Sequence, residues 1–401
     1  MAANSDLPSI SHATLGQSYC ERSYHPDISP LAAYLLRLMH FKQTNLCVSA
    51  DVTTSAELLR VAEEVGDHIC ILKTHADIVR DFGDRTIRGL NEVARRRKFL
   101  VFEDRKFGDI GNTVQQQYVG GPLTIVRWAP IVNAHIFPGP AIIDALEQAA
   151  NQAIVAFNSS VHTDISASPA PSVTDSLDEP IDLEALDRDD PGEKSEEDIY
   201  GDEYQNTYDA RYARKQSVVS VSTTISMKSE NATVNNNTNA PLDDHTSDPA
   251  DRQAMLDHLG PPPYLRSLLL LAQMSSANNF FTAPYTKACL EQARLHRGFV
   301  MGFIAQQCLN EQPDDIFITM TPGVQLSAGG DGMGQQYNTP SVVVGEKGTD
   351  VIIVGRGILA APDRTKAARE YQKQGWEAYL ARVRGRRAEA SGQAGPNGVQ
   401  K

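Results

Sequence analysis

Cysteine is scarce and scattered. Five occur in 401 residues (Cys20, Cys47, Cys70, Cys289 and Cys308), and no two form a Cys-x-x-Cys pair. An odd count at wide spacing argues against a disulfide framework or a site of paired zinc thiolates. Cys47 and Cys70 lie inside apolar runs, where a thiol packs as a small hydrophobe. No apolar run reaches the roughly 18 residues that a membrane helix needs. The segment 1–11 has neither a charged start nor an apolar core, so it does not read as a secretory signal. These features predict a cytoplasmic protein. An excess of basic charge is also lacking. The net charge is −13, but residues 160–262 alone hold 22 acidic and 7 basic side chains. The remainder, with 28 acidic and 30 basic residues, is too nearly neutral for a general nucleic-acid surface.

What is present is a repeated unit of a short apolar run followed by an amphipathic one. Ser29-Pro30 predicts a helix start, with Ser as cap and Pro at the first position. Apolar runs at 46–50, 68–72, 99–102, 128–133, 267–273, 299–304, 316–320 and 350–355 read as eight strands. Helical patterns stand between most of them. Such alternation implies a parallel sheet, and eight units imply an α/β fold of the closed (β/α)8 TIM-barrel type. An open doubly wound sheet explains the count less well, and no glycine fingerprint follows the first strand. Residues 160–262 break the pattern. They are rich in Ser, Thr, Asp, Asn and Glu, with Ser217-Val-Val-Ser-Val221 the main exception. Such composition buries too little surface to offset ordering entropy, so a disordered insertion between the fourth helix and fifth strand is expected. The expected organisation is an N-terminal tail at 1–28, half-barrels at 29–159 and 263–384, and a C-terminal tail at 385–401.

Charge gathers where the strands end. The apolar run from Phe99 to Phe102 turns abruptly into Glu103, Asp104, Arg105, Lys106 and, past Gly108, Asp109. Period-two alternation sends Asp104 and Lys106 to one side. A helix is expected after Asp109, with Asn112 or Thr113 near its cap. Charges beside a core cost several kcal/mol each unless paired, so an Asp-x-Lys-x-x-Asp run at a buried strand end is informative. The other strand ends add Asp51, Lys73, a Thr321-Pro-Gly323 turn and Gly355-Arg-Gly357. In a TIM barrel these ends form the active-site face, and the loops after strands seven and eight commonly bind phosphate. Glycines let backbone N–H groups approach an anion, and Arg356 can grip it. No His, Asp and Glu set has convincing metal-ligand spacing, so no metal is inferred.

The run Phe102-Glu-Asp-Arg-Lys-Phe-Gly-Asp-Ile-Gly-Asn-Thr113 resembles the signature of the orotidine 5'-phosphate decarboxylase family. The resemblance extends to Leu72-Lys-Thr-His75, Met320-Thr-Pro-Gly323, Gly334-Gln-Gln-Tyr337 and Ile353-Val-Gly-Arg-Gly357, in the family's order. It covers about residues 30–157 and 263–382. The insertion is its largest departure and resembles those of fungal members. The resemblance implies decarboxylation of orotidine 5'-phosphate (OMP) to UMP without a cofactor, by a homodimer with shared sites. Lys106 would protonate C6 of the pyrimidine, flanked by Asp104 and Lys73, with Asp109 contributed by the partner subunit. Asp51 and Thr113 match ribose contacts, Thr113 again reaching across the dimer, and Ser275 and Gln335 match base-edge and base/phosphate contacts. Tyr337 and Arg356, beside Gly355, match the phosphate grip, and Pro322 joins the pocket. The resemblance also places Thr74, His75, Arg105 and Phe107 at the substrate, as well as the loop Gly108, Ile110, Gly111 and Asn112.

Two other readings remain open at this point. One is a sister sugar-phosphate decarboxylase that shares Asp-x-Lys-x-x-Asp and needs Mg²⁺; the Leu72–His75 and Gly334–Tyr337 motifs favour the nucleotide substrate. The other is a non-catalytic barrel whose acidic insertion recruits a partner. A dead scaffold has no reason to keep costly charges at its mouth.

Overall fold

The computed structural model describes residues 12–159, 161–167, 219–225, 249–327, 329–330 and 336–392. Eight parallel strands close into a barrel: β1 (Leu46–Ser49), β2 (Ile71–Thr74), β3 (Leu100–Phe107), β4 (Ile131–Ala134), β5 (Ser267–Leu271), β6 (Val300–Ile304), β7 (Ile318–Thr321) and β8 (Val351–Val354). Each pairs with its neighbours in sequence, and β1 closes the ring on β8 with Val48 opposite Val354. Almost every strand residue is buried, because the helices cover the barrel outside while side chains fill it inside. The TIM barrel expected from the eight apolar runs is therefore present.

Local signals account for the surrounding helices. Ser29 caps Pro30–Lys42, its hydroxyl accepting the Ala32 N–H at 3.4 Å. Helix Ser55–Val65 buries Leu58, Leu59, Val61, Ala62 and Val65 on one face and is capped by Thr54. Asp84–Arg97 follows β2, and Arg364–Ala390 follows β8.

The chain divides into two compact units, residues 1–155 with 231–401 and residues 156–230. In the smaller one, Val161–Ala167 pairs antiparallel with Val219–Ile225. The second of these strands begins at Val219 and so takes in Val219 to Val221 of the apolar exception noted above. The insertion falls between the fourth barrel helix, Ala141–Asn158, and β5, as expected. Its expected limit at 262 needs correction, because Pro249–His258 is a helix belonging to the larger unit. Lys98 Nζ donates to the Leu256 carbonyl at 2.8 Å, and the Tyr34 hydroxyl donates to the Gly260 carbonyl at 3.1 Å.

The expected tails are also too long. A five-residue helix, Tyr19–Ser23, carries a complete capping box and a fully buried Tyr19. Arg22 forms a buried ion pair with Asp350 at the start of β8. Tyr19 stacks on Tyr379 at 4.0 Å, and Arg387 Nε donates to the Gly16 carbonyl at 3.0 Å. So short a helix shows no period in sequence, and a buried arginine reads there as surface.

Candidate active site

Register sets the site. Ser49 lies beside Lys73, Lys73 beside Phe102, and Thr74 beside Glu103, so the charged ends of β1, β2 and β3 meet at one height. Beyond Glu103 the pairing of β3 with β4 slips before resuming at Phe107 and Ala134. Within that slip Lys106 takes φ +51, a left-handed conformation uncommon outside glycine. Simple alternation therefore does not carry through to Lys106. Asp104 and Lys106 meet nonetheless, with Lys106 Nζ 2.6 Å from Asp104 Oδ1.

Asp104 is the centre of an alternating array. Its Oδ2 accepts from Lys73 Nζ at 2.6 Å and lies 3.1 Å from His75 Nε2. His75 Nδ1 lies 2.7 Å from Asp51 Oδ1, which also accepts from the Ser49 hydroxyl at 2.9 Å. Burial pushes the Asp104 carboxyl up, but the Lys73 ammonium, the His75 hydrogen bond and Lys106 outweigh it, holding the group well below the usual carboxylate range. Burial opposes ionisation of Asp51 as well, yet the His75 hydrogen bond and Lys73 bring it down to about 2. Burial disfavours charge on His75, and its bonds to Asp104 and Asp51 raise its pKa in spite of that. Both carboxylates are thus fixed as anions among cationic donors before any ligand arrives.

Two residues of this constellation had no role in the sequence reading. Asn133, at the end of β4, accepts the Lys106 backbone N–H and donates to Asp104 Oδ1, both at 2.7 Å. Glu103 is fully buried behind the array. Its carboxylate accepts from the Thr74 hydroxyl at 2.6 Å and the Ala76 N–H at 3.0 Å, pinning the turn that carries His75. The available signal was position alone: each is a polar residue where an apolar run ends.

A cleft of about 180 Å³ opens beside Lys73, lined among others by Asp51, Pro322, Gly323, Tyr337, Gly355 and Arg356. The Arg356 guanidinium lies 5.6 Å from the centre of the Tyr337 ring. Gly357 has no room for a side chain, since a Cβ would collide with the Tyr371 hydroxyl. Ser275 is buried in the loop after β5, its carbonyl accepting the Gln336 N–H at 3.3 Å. Gln335 lies outside the described residues.

The remaining expected contact residues lie as follows. The Thr74 side chain is fully buried against Glu103, and Phe107 is buried edge-on to Tyr118. The Arg105 guanidinium lies over the Phe107 ring at 5.7 Å. These side chains support the strands from behind, as neighbours of inward-pointing residues do. Gly108, Ile110, Gly111, Asn112 and Thr113 are exposed. The helix there, Gly111–Val119, follows Ile110 without a side-chain cap, so neither Asn112 nor Thr113 caps it. Asp109 accepts from its neighbour Ile110 N–H at 2.8 Å and from Gln117 Nε2 at 3.3 Å. Among the described residues it makes no hydrogen bond or ion pair with Lys73, Asp104 or Lys106.

Fold and site together define a (β/α)8 protein with a preorganised Asp/Lys array at the carboxyl ends of its strands, next to a glycine- and arginine-lined cleft. The chain belongs to the orotidine 5'-phosphate decarboxylase / HUMPS family, whose profile it matches over residues 44–175 and 198–371. It is 46% identical over 368 residues to the orotidine 5'-phosphate decarboxylase of Aureobasidium pullulans, covering 92% of this chain and 95% of that one. Identity to the Hypocrea atroviridis protein of the same name is 42%, over 93% of this chain and 99% of the relative. Bovine uridine 5'-monophosphate synthase is 34% identical over 95% of this chain, which spans 56% of that longer protein.

Proposed function

We propose that this chain decarboxylates orotidine 5'-phosphate to UMP in pyrimidine biosynthesis, without a cofactor, as a cytoplasmic homodimer. The observation that carries the reading is the Lys73–Asp104–Lys106 array at the edge of the cleft that holds Arg356. Arg356 and the glycine-rich turn around it suit a phosphate, and Asp51 suits a ribose hydroxyl. With the phosphate at Arg356 and the ribose at Asp51, the pyrimidine is directed toward Lys106.

The chemistry follows from charge. The bond from C6 to the carboxylate breaks, CO₂ leaves, and the electron pair stays on C6. That carbanion has little resonance help, so stabilisation must come from groups already oriented toward it. The ammonium groups of Lys106 and Lys73 supply positive charge there, and Asp104 holds both in place. Lys106 Nζ then gives its proton to C6. Its side chain is 36% exposed, so water can return the proton. Asp104 also lies where the substrate carboxylate must sit, and its negative charge favours departure of CO₂.

Asp109 motivates the dimer. Its bonds run to Ile110 and Gln117 on its own loop and helix, not into its own array. Thr113, in the first turn of the helix that follows, is exposed, and Asp109 on the loop before it is half-buried. Under two-fold symmetry both would reach a neighbour's cleft. Relatives named for this reaction, matched over more than nine-tenths of the chain, favour OMP over a sugar-phosphate substrate.

Lys106→Ala tests the proton donor. It is expected to lower kcat by more than about a thousandfold with the fold intact, because Lys106 is not core. A variant keeping about a tenth of the parent kcat would remove Lys106 from that role.

A further inference from the structure

The array contains a strained point. Lys106 is the only described β-strand residue other than glycine with a positive φ, and it sits where β3 slips against β4. A side chain that must meet a reacting carbon cannot rest on backbone free to relax. Something has to hold residue 106 in this conformation, and the strand pairing has lapsed there.

Asn133 occupies that gap. It belongs to β4, whose pairing with β5 runs unbroken from Ile131 to Ala134, so its own backbone is firmly placed. Its side chain is fully buried. Each end of its amide meets a different member of the array. Oδ1 takes the Lys106 backbone N–H, replacing the ladder bond that the slip removes, and Nδ2 donates to Asp104 Oδ1. That same Asp104 oxygen faces the Lys106 ammonium. The amide can point only one way, because the flipped form would set N–H against N–H and oxygen against carboxylate.

We propose that Asn133 is a positioning residue: one amide fixes the left-handed backbone of Lys106 and the rotation of the Asp104 carboxylate together. It thereby sets the distance between proton donor and substrate without touching the substrate. Bonds to the phosphate and ribose come from other strands and do not run through it. Its loss therefore falls on the chemical step and not on binding. The inference rests on the decarboxylase reading above, in which Lys106 is the proton donor.

Two variants test it in the full-length chain, with OMP turnover and UMP affinity measured side by side. Asn133→Ala removes both bonds. It is expected to lower kcat by about a hundredfold or more while UMP affinity stays within about threefold of the parent. Asn133→Asp keeps the shape and the acceptor for Lys106 N–H. When ionised it sets a second carboxylate against Asp104; when protonated it restores a donor there. The titratable groups around that position are Asp104, Lys106, Lys73 and His75 on β2 and β3 or the turn after β2, and His135 two residues further along. Two carboxyl groups in contact hold one proton to higher pH than either would alone, and the cationic partners of Asp104 leave that proton on residue 133. The ratio of variant to parent kcat is therefore expected to rise as pH falls from about 9 to about 5.5. Turnover of Asn133→Ala within about tenfold of the parent overturns the proposal, as does a parallel loss of UMP affinity. If the alanine chain does not fold, the aspartate profile decides alone, and a flat ratio overturns it. Parent turnover of OMP with unaffected variants defeats this inference and leaves the decarboxylase reading standing; a parent inert toward OMP defeats both.

Discussion

Glu103 shows how much of this site lies one layer behind the residues that face the cleft. It is fully buried, and burial pushes its carboxyl up to about 7, although the Thr74 hydroxyl and Ala76 N–H both favour the anion. A folded-state pKa above the unfolded value means that the native state binds the extra proton. The corresponding stability is fully present below about 4.5 and is lost as pH rises through about 7. Glu103→Gln keeps an acceptor for Thr74 and Ala76 but never ionises. Its stability relative to the parent is expected to grow between about pH 4.5 and about pH 7, by at most on the order of 3 kcal/mol. Urea unfolding of both proteins across that range measures it, and a difference independent of pH would contradict it. Asp104 behaves oppositely. Its depressed pKa gives stability that is lost only in acid, below the ordinary carboxylate range. At this scale the sequence was informative about charge and less so about geometry. Asp51, Lys73, Asp104 and Lys106 are legible because charge at the end of an apolar run is costly. Asn133 is not, since a neutral amide at a strand end is ordinary, and only the slip beside it gives that amide a task.

Elements were legible in proportion to their apolar content. All eight strands announce themselves, because a strand covered on both faces must be apolar throughout. The helix Pro249–His258 does not, because half of its residues are charged or polar and a proline-rich stretch follows it. It stands beside Pro30–Lys42 and engages Lys98 through the Leu256 carbonyl and an Asp257 ion pair at 3.2 Å. That contrast makes a prediction. Replacing residues 168–218 by a short Gly/Ser turn is expected to leave kcat within about twofold of the parent, since every residue of the proposed site lies elsewhere and loop closure depends weakly on length. Extending the deletion through His258 removes the helix and is expected to lower Tm by about 2–5 °C. Equal Tm for the two deletions would show that the helix adds nothing to the barrel. The left-handed Lys106 belongs to this scale too: the slip follows from pairing across β3 and β4, which period-two alternation in one strand cannot reveal.

At the scale of the whole molecule, the proposed catalyst is larger than one chain. Lys106→Ala and Asp109→Ala chains are each expected to be inactive as homodimers. If sites are shared, a mixed dimer carries both lesions in one site and none in the other. Random exchange is then expected to restore about a quarter of parent activity. No recovery despite demonstrated mixed dimers would place Asp109 in its own subunit's site. Beneath that assembly stands the claim that an Asp/Lys array alone breaks a carbon–carbon bond. The most direct test is the loss of OMP absorbance on addition of the purified full-length chain, with and without excess EDTA. The account predicts turnover to UMP at the same rate in both. No turnover of OMP, or turnover abolished by the chelator and restored by Mg²⁺, would contradict it.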